Sequence, residues 1–193
     1  MTLGNLAAFF QRDVKRLLAY STVSQVGYLL MPVAVAGRSD LAQQALLYYL
    51  AAYAVTNLGA FAVVSALPQA RNLTDYRGLS RQRPLLAASL VICLLGLVGT
   101  PPTAVFVGKL QAFSAVFDAD YAWLAVLAAV NTVASLFYYL RWIVPTMSRG
   151  DGSRGYGCDR PSRIVAYTTS ATSLVLGLSA GPVLAVLDGP LAG

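Results

Sequence analysis

Lys109 is a solitary charge in an apolar run. From Leu94 to Phe117 the chain reads LLGLVGTPPTAVFVGKLQAFSAVF, with no second charged residue. A lysine at membrane depth is costly enough to mark a functional site by default. Lys109 precedes Phe117 by eight positions, about 12 Å of helix at 1.5 Å per residue. That is near half of a roughly 30 Å hydrocarbon core. The alternative is a lysine that snorkels to the surface, and this depth makes snorkelling hard. A proton on such an amine answers to neighbouring charge and water, which is the property a proton relay needs. Just before it, Gly99-Thr100-Pro101-Pro102 cannot continue a regular helix. The prolines free carbonyls of the preceding turn. With the hydroxyls of Thr100 and Thr103 these could line a hydrated gap, and the alternative is a packing kink. A broken helix beside a buried ionisable group is how ion sites are built at membrane depth.

A second polar constellation opens VKRLLAYSTVSQVGYLL. Lys15 and Arg16 suit cytoplasmic anchors at a helix end, and Lys15 is also a candidate relay. Polarity continues inward through Tyr20, Ser21, Ser24, Gln25 and Tyr28. Ser21, Gln25 and Tyr28 fall at i, i+4 and i+7, on one helical face. Inside lipid such a stripe should face protein or water, either binding neighbouring helices or lining a proton path. The candidate polar path is Tyr20, Ser21, Gln25 and Thr103. Tyr49, Tyr53, Thr56 and Asn57 share a face of a later segment, and Asn131, Thr132, Ser135, Tyr138 and Tyr139 follow in another. These suit interhelical hydrogen bonding.

The elements that must position these groups are membrane helices. Of 193 residues, 57% are hydrophobic and 11% charged, with mean hydropathy +0.62, against about 25% charged in soluble domains. The apolar residues come in long runs, without the alternation a barrel needs. The expected fold is all-α integral membrane, one transmembrane domain over residues 1–193. It has about five spans near 14–36, 41–67, 85–117 (broken at 99–103), 121–147 and 163–187. An apolar stretch at Leu3–Phe10 is too short to span and lacks a preceding basic region. It reads as the end of a helix. Ser39 or Asp40 can cap the second span, Pro84 can start the third, and a short interfacial helix is expected near Leu73–Leu79. Gly181-Pro182 should distort the end of the fifth.

The net charge of +6 reflects topology. Lys109 and Arg38 apart, the basic residues form three clusters between apolar runs: Arg12, Lys15, Arg16; Arg71, Arg77, Arg81, Arg83; and Arg141, Arg149, Arg154, Arg160, Arg163. Placed on the cytoplasmic side, as in the positive-inside pattern, they orient every span without conflict. Nucleic acid is not an expected partner. Two cysteines, Cys93 and Cys158, offer no disulfide framework or metal spacing. With no histidine, no nucleotide loop and no carboxylate pair, neither a cofactor, a metal nor redox chemistry within this chain is expected.

The ordered segments GNLAAFFQRDVKRLLAYSTVSQVGYLL, LLYYLAAYAVTNLGAFAVV, YRGLSRQRPLLAASLVICLLGLVGTPPTAVFVGKLQAF and FYYLRWIV resemble the C-terminal part of an antiporter-like subunit of respiratory complex I. Complex I is the proton-translocating NADH-quinone oxidoreductase, and the likeness is to the subunit N (mitochondrial subunit 2) type. The resemblance implies a fourteen-helix fold with inverted repeats, of which this chain holds the end of helix nine and helices ten to fourteen. It implies a proton-transferring lysine at Lys109 in a discontinuous helix twelve, and it matches Lys15 to a family lysine. Gln25 stands where a histidine is common. The implied function is proton translocation in a membrane arm, coupled to quinone reduction elsewhere in the complex. Implied partners are other membrane-arm subunits, a chain supplying the N-terminal half, and the lipid bilayer; the implied location is a bacterial plasma membrane. Alternatives are a subunit of a cation/proton antiporter or membrane-bound hydrogenase, and a structural membrane fragment that transports nothing.

Overall fold

Polar and conformationally special residues set the helix ends. Asp13 accepts a hydrogen bond from the Arg16 amide at 3.0 Å and starts α2, Val14–Ala34, by satisfying one of its orphan donors. Ser39 Oγ accepts from the Leu41 amide at 3.3 Å where α3, Leu41–Ala66, begins; the neighbouring Asp40 makes no capping bond. Pro84 is the first residue of α5, Pro84–Val98, a position whose N–H would be unpaired anyway. Asp159 accepts from the Ser162 amide at 3.0 Å ahead of α8, Arg160–Leu178. The Ser162 hydroxyl, then its amide, hold that exposed carboxyl below its usual range.

The computed structural model describes residues 1–150 and 157–187; Arg154 of the third basic cluster lies outside them. The remaining α-helices among the described residues are α1 (Thr2–Phe9), α4 (Leu79–Gln82), α6 (Ala104–Asp118), α7 (Ala122–Met147) and α9 (Ala180–Leu187). The loop before α4 holds a 3-10 turn at Leu73–Tyr76, and Gly78, at φ 75°, separates the two short elements. An isolated antiparallel bridge pairs Asp13 with Asn72, tying the α1–α2 junction to this loop.

The protein is an all-helical, multi-pass membrane protein. Helices α2, α3 and α7 are each long and apolar enough to cross a bilayer, and α8 with α9 makes a fourth crossing if counted together. Helices α5 and α6 have 15 residues each, short of the about 20 that a span needs. They are the two halves of the long apolar stretch from 85 to 117. Gly99 ends the first half at φ 91°, the left-handed conformation that glycine adopts without steric cost. The Gly99 and Thr100 amides both donate to Leu95 O at 3.1 Å, and Pro101–Pro102 is a cis peptide.

The last apolar segment is distorted at its end, as Gly181-Pro182 led one to expect. The 76° bend separates Leu178 from Ala180, ahead of Gly181-Pro182. Pro182 is the third residue of α9, and its ring excludes the carbonyl four residues back, that of Leu178, where α8 stops.

Helix α3 is central, packed most extensively on α8 and α6, and also on α5, α2 and α9. Small residues permit these approaches. A Cβ on Gly108 of α6 would lie 2.9 Å from Tyr49 Cα. A Cβ on Gly177 of α8 would meet Pro102 O and lie 2.8 Å from the Ala104 amide, so α8 braces the break between α5 and α6 from outside. Main chain there cannot swing away as a side chain can. Gly177→Ala should therefore destabilise the protein by about 1–3 kcal/mol, as overpacking does. Thermal unfolding of the detergent-solubilised protein measures this, and an unchanged midpoint would remove the brace from the argument.

Candidate functional site

The break in the apolar stretch creates the acceptors and α6 delivers the donor. Because α5 stops at Gly99, the carbonyls of Leu97 and Val98 have no intrahelical partner, and they form the negative end of the helix dipole. Lys109, the sixth residue of α6, reaches back to them. Its Nζ donates to Val98 O at 2.7 Å and to Leu97 O at 3.2 Å. The side chain is 3% exposed. Its ammonium also lies 4.5 Å from the centre of the Tyr28 ring, a cation–π distance. The ammonium is thus held by two carbonyls, a helix end and a ring face, with no carboxylate among those contacts.

The ring is positioned from its other end. Tyr28 OH donates to Ala128 O and pairs with Thr132 Oγ1, each at 3.1 Å, so α7 holds the phenol in place. Gly99 leaves room for the lysine stem: a Cβ there would lie 2.9 Å from Lys109 Cδ and 3.6 Å from Nζ.

Gln25 extends the network. Its Nε2 donates to Leu97 O at 2.8 Å, sharing that carbonyl with Lys109, and its Oε1 accepts from Tyr49 OH at 2.7 Å. Gln25 and Tyr49 are both buried. Three helices and the broken end of a fourth therefore converge: α2 brings Gln25 and Tyr28, α3 brings Tyr49, α6 brings Lys109, and α5 supplies the carbonyls.

The remaining sequence candidates separate into groups. Ser21 is buried one turn before Gln25 and hydrogen-bonds Tyr139 OH. Thr103 is buried, with Oγ1 donating to Thr100 O at 2.7 Å, so its hydroxyl secures the break. Pro101 and Pro102 are exposed at the break itself. Tyr20 is 39% exposed, on a different face from Ser21 and Gln25, and Lys15 is exposed in the first turn of α2. Neither joins the Lys109 network.

A second cluster joins Asn131, Tyr138 and Tyr139, residues expected to bond between helices, to Asn5, which the sequence pattern did not single out. Asn5 Nδ2 donates to the main-chain oxygen of Asn131 at 2.9 Å and to its Oδ1 at 3.0 Å, while Tyr138 OH donates to Asn5 Oδ1 at 3.1 Å. Tyr138 packs against Tyr139 with ring centres 4.5 Å apart and planes tilted by 50°, which leads back to Ser21. An asparagine within the apolar segment TLGNLAAF is the signal that could have found it, since a lipid-exposed amide is costly.

Chemically, this arrangement can hold a proton and let it go. An ammonium has three donors, and two are spent on carbonyls. A neutral amine keeps two N–H groups, enough for both bonds. Lys109 can therefore lose its charge without giving up either hydrogen bond.

The family described as "NADH:quinone oxidoreductase/Mrp antiporter, TM" matches residues 1–135. The chain is 59% identical over 187 residues to NADH-quinone oxidoreductase subunit N of Mycobacterium sp. (strain JLS), covering 95% of this chain and 40% of that protein. Among solved structures it is similar to a chain of respiratory complex I from Thermus thermophilus with bound aureothin. There the TM-score is 0.82 at 34% identity, over 95% of this chain and 42% of that one. It shares its fold with a chain of the Mrp complex from Dietzia sp. DQ12-45-1b, with TM-score 0.83 at 22% identity over 94% of this chain and 43% of that one. The chain spans about 40% of the length of the curated relatives it matches.

Proposed function

We infer that this chain, which belongs to the NADH:quinone oxidoreductase/Mrp antiporter transmembrane family, forms part of a proton-translocating membrane arm in which Lys109 carries the proton. The observation that carries this reading is the hydrogen-bonded ammonium at the broken helix, held by main-chain oxygens and shared through Leu97 O with Gln25. Quinone reduction elsewhere in the assembly changes charge and hydration near Lys109. The lysine answers by releasing or accepting its third proton while its two carbonyl bonds persist. High identity to subunit N chains favours this setting over a cation/proton antiporter or hydrogenase.

The partners are then other membrane-arm subunits, and the location is a bacterial plasma membrane with the basic loops on the cytoplasmic side. Lys15, exposed at the end of α2 that carries those loops, serves as an anchor or as an entry group for protons. The decisive test is proton uptake by proteoliposomes holding the assembled complex with Lys109 replaced.

Gln25 offers a finer one. Gln25→Leu leaves Tyr49 OH buried without its acceptor, at a cost of about 1–3 kcal/mol, and should slow proton transfer. Gln25→His can still accept from Tyr49 through one ring nitrogen and donate to Leu97 O through the other, and should retain transfer. Proton uptake rates of the two variants, measured beside thermal stability, decide the matter. Equal rates would take Gln25 out of the route.

A further inference from the structure

A cavity of about 500 Å³ opens at the end of the molecule that carries the basic loops, lined by Arg12, Asn72, Leu73, Thr74, Arg141 and Pro145. It lies away from the Lys109 network, and the function above does not use it. Two guanidinium groups share it. Arg141 gives one N–H to Phe9 O, which fixes its side chain and leaves further donors for a ligand, since a guanidinium has five. The wall opposite is equally fixed: Val14 donates to Arg71 O at 2.9 Å and Leu73 to Arg12 O at 3.1 Å. The site is therefore held on both sides by main chain.

The surface leading from this cavity toward the middle of the helices is apolar. Val130, Val133, Phe137 and Arg141 fall at i, i+3, i+7 and i+11, on one face of α7. Val130, Val133 and Phe137 are all more than half exposed, and Phe10 stands exposed two residues before Arg12. Arg141 comes six residues before the end of α7, about 9 Å at 1.5 Å per residue, which is headgroup depth for a spanning helix. A pair of arginines at that depth, above an exposed aromatic and aliphatic face, matches a ligand with an anionic head and a hydrocarbon tail.

We propose that the Arg12–Arg141 cavity binds the phosphodiester headgroup of an anionic phospholipid, whose acyl chains lie along the exposed face of α7. Arginine suits this role because its planar fork donates in parallel to two phosphate oxygens. Charge complementarity calls for an anion, and the apolar face continuing from the cavity selects a lipid over an acidic peptide.

The test uses the full-length protein in its assembled complex, purified and delipidated, then titrated with phosphatidylglycerol in detergent and read by native mass spectrometry. Wild-type protein should retain phosphatidylglycerol in preference to phosphatidylcholine. The doubly substituted R12Q/R141Q protein should bind phosphatidylglycerol about thirtyfold more weakly, at roughly one kcal/mol per arginine near a membrane surface, with phosphatidylcholine retention unchanged. R12K/R141K keeps the charge and loses the fork, and should fall between the two. It also guards against a folding defect in the glutamine variant. Equal phosphatidylglycerol retention by wild type and R12Q/R141Q would overturn the proposal. So would displacement of the lipid by millimolar inorganic phosphate, which would mark a free-anion site. Loss of a co-purifying protein with lipid retention intact would assign the arginines to a protein contact, against it.

Discussion

A Lys109→Met protein is expected to assemble and to lose proton translocation through this chain. Methionine keeps the unbranched length of the lysine stem and fills the same apolar channel, so the packing of α6 against α3 should survive. What disappears is the ammonium. Leu97 O retains Gln25 as a donor, but Val98 O, bonded at 2.7 Å to Lys109, is left without that partner. The stability loss should be about 1–3 kcal/mol. Transfer should fall by a factor of about 100 or more, the usual contribution of a positioned acid–base group. Lys109→Arg separates two roles that methionine removes together. A guanidinium can still donate to both carbonyls and lie over Tyr28, so the protein should be as stable as wild type. It does not release its proton in proteins, so translocation should still fail. Proton uptake driven by quinone reduction, measured in proteoliposomes beside unfolding temperature, reads both quantities. Full translocation by the arginine protein would mean that a fixed positive charge suffices and that Lys109 relays nothing.

The residues that make this prediction possible differ in how far the sequence revealed them. Lys109 stood out because a charge in an apolar run has few inexpensive explanations, and the break stood out because glycine and two prolines defeat a helix locally. Both are properties of a short stretch of chain. The destination of the ammonium is not. Its pairing with Leu97 and Val98 depends on how α6 folds back beside the end of α5, and nothing in the spacing of residues 97–109 fixes that angle. Gln25 and Tyr49 could each be placed on a polar face, but their mutual hydrogen bond joins α2 to α3 and is set by the packing of both on α6. Lys15 and Tyr20 show how far a sequence pattern can differ from a spatial cluster. They continue a polar pattern in sequence, yet 15 and 20 fall on the exposed side of the helix whose other face buries Ser21 and Gln25. The bend before Ala180 was legible because Pro182 acts on the carbonyl four residues back, that of Leu178, where α8 ends.

Gly99→Ala should impair translocation more than it impairs folding. At φ 91° an alanine adopts a backbone conformation that costs about 1–2 kcal/mol, and this alone should lower the unfolding temperature modestly. The larger effect falls on Lys109. The new methyl would stand 2.9 Å from its Cδ, closer than two carbons can pack. The lysine stem is flexible where the surrounding main chain is not, so the side chain moves and the bond from Nζ to Val98 O lengthens or breaks. Gly177→Ala supplies the contrast, because its methyl meets main chain and should reduce stability first. Gly99→Asn separates backbone from contact at the same position. Asparagine tolerates the left-handed region better than alanine, so part of the lost stability should return, while its larger side chain still displaces Lys109 and translocation should stay low. If Gly99→Asn instead restores translocation along with stability, backbone strain explains the defect and the fit between Gly99 and the lysine stem does not.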